Sequence, residues 1–93
     1  MNTIIAQKTA YIETFRLDYT LFTAENHYGI ACTALDSNGA QIAEYRNPII
    51  TADCDCAAYL FRLLAENTVF PTQIDDVLAD ARGGILGAAL LCG

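Results

Sequence analysis

The chain is short of positive charge. Five Lys or Arg stand against eleven Asp or Glu, a net charge of −6 with the single histidine neutral. A field of that sign repels phosphate backbones and anionic lipid surfaces, so nucleic acid and membrane are poor partners. The first eight residues, Met1 to Lys8, have no basic start followed by an apolar run of signal length, which argues against export and for a cytoplasmic protein. A long hydrophobic run is lacking too: the stretch Ile85 to Cys92 falls far short of the ~20 residues that span a bilayer. Histidine occurs once, as His27, which leaves a triad or imidazole ligand set without a second member.

What is present is small and apolar. Of 93 residues, 54% are hydrophobic, only 17% are charged and fifteen are alanine. A chain of this length buries roughly 60% of the surface its unfolded form exposes, so one core and one domain over residues 1–93 are expected. From Phe15 to Thr23 apolar residues alternate with polar ones until Phe22 breaks the pattern, the period of a half-buried strand. Glu25 to His27 makes a polar connection, and Tyr28 to Asp36 reads as a second strand. Asn38-Gly39 is a strong hairpin signal, because a two-residue type I′ loop needs positive φ at both central positions. That loop sets Leu35 opposite Ile42, Ala34 opposite Ala43, Thr33 opposite Glu44 and Cys32 opposite Tyr45. One face then carries Ile30, Cys32, Ala34, Ala43 and Tyr45, the better core.

Pro48 is expected to end the third strand. Thr51 or Asp53 can cap a helix running to about Asn67, and Thr72, with Asp75 three residues on, fits the capping box of a second. Gly83 is a natural stop. Residues 1–10 read either as an extra strand or as a loose end. The expected fold is α+β: a three- or four-stranded antiparallel meander with two C-terminal helices packed on one face.

The run Val69-Phe70-Pro71-Thr72-Gln73-Ile74-Asp75-Asp76-Val77-Leu78-Ala79-Asp80, following strands that contain Tyr28-Gly29-Ile30, resembles a family of short bacterial proteins of unknown function. The resemblance spans roughly Arg16 to Asp80. It supports the fold and transfers no catalytic residue. The chain departs from that family in its Asp53-Cys54-Asp55-Cys56 run and in its apolar, Gly-containing tail.

Cys54 and Cys56 are the first place to look for a metal, since two thiolates suit a soft cation. On a helix, however, residues two apart project about 200° from one another and cannot grip one ion. As a nucleophile, Cys54 has Asp53 and Asp55 opposing its thiolate. Asp75, Asp76 and Asp80 lie on one helix without the alternating oxygen ligands of a calcium loop, and would also oppose DNA entry by the second helix. No metal, cofactor or catalytic residue is assigned.

Two classes of function remain. The first is a small protein-interaction or regulatory module, a homodimer being one form of it, acting through a sheet edge, the acidic helix surface or the apolar tail residues Ile85, Leu86, Leu90 and Leu91. The second is a small-ligand binder or enzyme with a pocket between helices and sheet, to which Tyr45, Tyr59, Arg46 and His27 would contribute.

Overall fold

The computed structural model describes residues 2–83. Four antiparallel strands come first, β1 (Asn2–Ile12), β2 (Phe15–Ala24), β3 (His27–Leu35) and β4 (Gln41–Thr51), joined in chain order into one sheet. The helices α1 (Cys54–Glu66) and α2 (Ile74–Gly83) follow, with a single 3-10 turn at Pro71–Gln73 between them. The N-terminal residues that composition alone left undecided are strand, held by β2 along a ladder from Asn2↔Ala24 to Ile12↔Phe15.

Register decides which side chains are buried. Leu17 pairs with Ala34, Tyr19 with Cys32 and Leu21 with Ile30, so all six share a face, and all are buried in one cluster with Leu60 and Leu64 of α1 and Ile74 and Leu78 of α2. Cys32 and Ala34 are small enough for a neighbouring layer to approach closely. At the centre the buried Tyr19 hydroxyl donates to the Val69 carbonyl at 2.7 Å, which satisfies both polar groups inside the apolar layer.

α1 forms because its buried residues, Cys56, Ala57, Leu60, Phe61, Leu64 and Ala65, recur at helical spacing. Asp53 is its cap, accepting the Cys56 amide at 2.9 Å, a contact of about 1 kcal/mol. The other end closes with paired bonds from Thr68 N to Ala65 O and from Val69 N to Leu64 O, the Schellman pattern. Thr68 therefore takes φ 47°, a conformation that glycine adopts freely and a β-branched residue resists.

Three local expectations need correction. The β3–β4 connection is not a two-residue I′ loop: it runs from Asp36 to Ala40, only Gly39 has positive φ (83°), and the Asp36 carboxylate accepts the Asn38 and Ala40 amides at 2.9 Å each. Asp36 holds the turn in place of a second left-handed residue, and Leu35 faces Gln41 rather than Ile42. Pro48 does not end β4. The strand continues to Thr51 with a register shift between the Tyr28 and Ile30 pairs, tolerated because β4 is an edge strand. Thr72 does not cap α2, since it sits inside the 3-10 turn that Pro71 begins, a turn whose own cap position is Phe70.

Phe22, which breaks the β2 alternation, is 2% exposed although it faces away from that core. Gly29 opposite makes this possible. A Cβ there would meet the Phe22 ring at 2.5 Å and the Pro48 Cα at 2.7 Å. Gly29→Ala should therefore lower stability by about 1–3 kcal/mol, as overpacking does. Thr68→Gly should raise it by about 0.5–1 kcal/mol by removing the cost of its left-handed backbone. Urea unfolding monitored by circular dichroism measures both.

Candidate functional site

The face of the sheet turned away from the core carries the other parity of each strand. Cross-strand pairs arrange it in rows: Ile4, Phe22 and Gly29; then Gln7, Thr20, Ala31 and Arg46; then Thr9, Asp18, Thr33 and Glu44; then Tyr11, Arg16, Leu35 and Gln41. The centre of this surface, Thr20, Ala31 and Thr33, is short-chained. Charge sits in two places. Arg16 Nε donates to Asp18 Oδ1 at 3.0 Å, and this bond to the carboxylate raises the Arg16 pKa above its ordinary value; Thr9 Oγ1 donates to the same oxygen at 2.9 Å. Arg46 lies over the Phe22 ring, 4.4 Å from its centroid, a cation–π contact that covers the ring's face.

Three shallow depressions follow one another across this face. The one beside Arg46, about 390 Å³, is lined by Ile4, Thr20, Phe22, Ala31 and Arg46. Thr20 also borders the next, about 220 Å³, together with Asp18 and Arg16. Arg16 in turn borders the third, about 340 Å³, which reaches Tyr11, Leu35 and Gly39. Such open hollows suit a macromolecular contact better than an enclosed small ligand.

Residues expected to act together are dispersed. Tyr45 faces the core side of β4, its hydroxyl donating to Asp75 Oδ1 at 2.8 Å and accepting from Asn47 Nδ2 at 3.3 Å, while Arg46 faces the opposite side beside Phe22. Tyr59 is half-buried on α1 against the core cluster. His27 is exposed at the start of β3. The structure therefore brings neither His27 nor Tyr59 to Arg46. Asp75 is exposed on α2 and also reaches back to the sheet through Tyr45. Ile85, Leu86, Leu90 and Leu91 lie outside the described residues.

Cys54 is exposed and Cys56 fully buried, as their angular separation on α1 requires. The Cys54 thiol contacts the Tyr28 hydroxyl, and that hydrogen bond raises the tyrosine's pKa above its ordinary value. Among the described residues no group of three or more His, Cys, Asp or Glu could hold a metal ion, and no helix is long and apolar enough to cross a membrane.

Sequence reasoning missed the Phe22–Gly29–Arg46 arrangement. The signal was the break at Phe22, but it becomes readable only once Glu25 and Asn26 alone form the β2–β3 loop, with Glu25 at φ 57°, and no glycine marks that turn.

A family model described as a family of unknown function (DUF6514) matches residues 1–83, from the N-terminus through the end of α2. No curated protein and no solved structure matches the chain.

Burial leaves a pH signature in the core beneath this face. Desolvation pushes the Cys32 thiol from 9.0 up to about 12, with the nearby Asp18 charge adding to the effect, and raises the Tyr19 hydroxyl in the same direction. An acid whose folded pKa is raised contributes stability that is fully present below its unfolded pKa and is lost as pH climbs towards the folded one. Stability should therefore be flat near neutrality and fall from about pH 9 to about pH 12. Cys32→Ala should start from lower stability at pH 7 and lose less across that window, by urea titrations at each pH.

Proposed function

We infer that this chain, which belongs to the DUF6514 family of unknown function, is a small cytoplasmic protein-interaction module whose helices cover one face of the sheet and whose other face and first edge meet a partner. The observation that carries the reading is the distribution of exposed apolar side chains. All six large ones among the described residues, Ile4, Ile5, Tyr11, Ile12, Ile42 and Ile49, lie on the two edge strands, and four of them are on β1. Exposed apolar surface gathered on an unpaired edge is a recognition feature, whereas scattered residues are ordinary. The partner is protein, because a net charge of −6 opposes nucleic acid and anionic lipid.

A photo-crosslinking residue placed at Tyr11, which is 70% exposed, should give a discrete protein adduct. The same residue at Asp76 on α2 should not. Equal labelling at both positions, or none at either, overturns the reading.

A second reading, a small-ligand site, rests on Arg46. Its guanidinium lies over Phe22 at the rim of the 390 Å³ depression, where a small aromatic carboxylate could pair with the cation and lie along Ile4. Benzoate titrated against the protein would then shift the Thr20 and Ala31 amide resonances of the wild type and leave those of Arg46→Ala still. Unshifted wild-type resonances remove this reading.

A further inference from the structure

We propose that β1 pairs antiparallel with β1 of a second copy about a two-fold axis at Thr9, joining two four-stranded sheets into one continuous sheet. The proposal rests on the interaction-module reading and names its partner.

The two edges of the sheet are not equivalent. β4 carries Pro48 and two register shifts, devices that blunt an edge against further pairing. β1 is as long, has neither Pro nor Gly, and carries Lys8 as its single charge. Its own register shift lies between Ile4 and Ala6, so Ala6 to Ile12 is a regular run.

Backbone geometry shows which groups are available. Ile12 and Phe15 flank a two-residue loop, and closing such a turn directs the polar backbone atoms of Ile12 towards β2. Antiparallel pairing alternates along the strand, so Ala10, Lys8 and Ala6 also point inward, while Gln7, Thr9 and Tyr11 turn N–H and C=O to the open side.

Symmetry then selects the register. A two-fold axis perpendicular to the sheet maps each face onto itself, so it must lie midway between the two copies of one β1 residue, which then face each other. An axis at Lys8 would set like charges opposite one another, which is destabilising, and would lie at an inward-pointing residue. An axis at Gln7 would run the second copy into the register shift before Ala6. At Thr9 both faults vanish. Gln7 meets the second copy's Tyr11, Lys8 meets its Ala10, Ala6 meets its Ile12, and the outward amides and carbonyls of Gln7, Thr9 and Tyr11 all find partners. Tyr11 and Ile12, 70% and 37% exposed in the single chain, become covered. Each copy carries −6, so added salt should tighten the association by screening the mutual repulsion.

Sedimentation equilibrium of the full chain should show mass rising with concentration from 10.1 kDa towards twice that value. Thr9→Pro removes an N–H that β2 does not use and should weaken association at least tenfold. Thr9→Val loses the same side-chain bond to Asp18 but keeps the N–H, and should leave association within about twofold. Should the proline variant fail to fold, amide exchange of the wild type decides: Gln7, Thr9 and Tyr11 slow together as concentration rises. A mass that stays at one chain, a folded Thr9→Pro that associates as tightly as Thr9→Val, or exchange at these three amides that ignores concentration each overturns the proposal. A single-chain mass combined with a crosslink from Tyr11 to another protein would sink this pairing and leave the module reading standing.

Discussion

The contact on which the rest of the structure depends is the hydrogen bond from the buried Tyr19 hydroxyl to the Val69 carbonyl. It joins the middle of β2 to the segment that leaves α1, and it can form only if that segment lies over the sheet at hydrogen-bonding distance. Small residues beside it on β3, Cys32 and Ala34, set how closely the layers meet. The αL turn at Thr68 aims the chain so that Val69 arrives there, with the strain of a β-branched residue in that conformation tolerated for the sake of the direction it imposes.

A sheet with one apolar parity has a second face to account for, and this chain treats it unusually. Phe22 is buried on the side away from the core by Gly29 across the strand and by Arg46 above the ring. An aromatic on a surface of short side chains would otherwise lie bare. The cation–π contact and the missing Cβ together convert it into the floor of a depression. The same surface keeps its other arginine in place with a carboxylate, through Arg16 and Asp18, so the face is ordered by side-chain contacts of its own.

Tyr45 is engaged with Asp75, and His27 is exposed at the start of β3. Apolar exposure among the described residues is concentrated on the edge strands.

The sequence by itself determined the strand periods, a cap for α1 at Thr51 or Asp53, the extent of α1, the buried parity of β2 and β3 and the divergence of Cys54 from Cys56. These depend on spacing along one element, and spacing is local. Tertiary structure decided the remainder. Residues 2–12 became a strand because β2 offered a ladder along their length, β4 passed Pro48 because it has a neighbour on one side only, and Phe22 became a buried residue because Gly29 and Arg46 met it from other strands. The Asp36 turn and the two-residue Glu25-Asn26 loop set those registers through side-chain hydrogen bonds and backbone conformations that residue identity alone does not announce. Register is the property that periodicity leaves open, and a shift of one residue would have reversed every face described here.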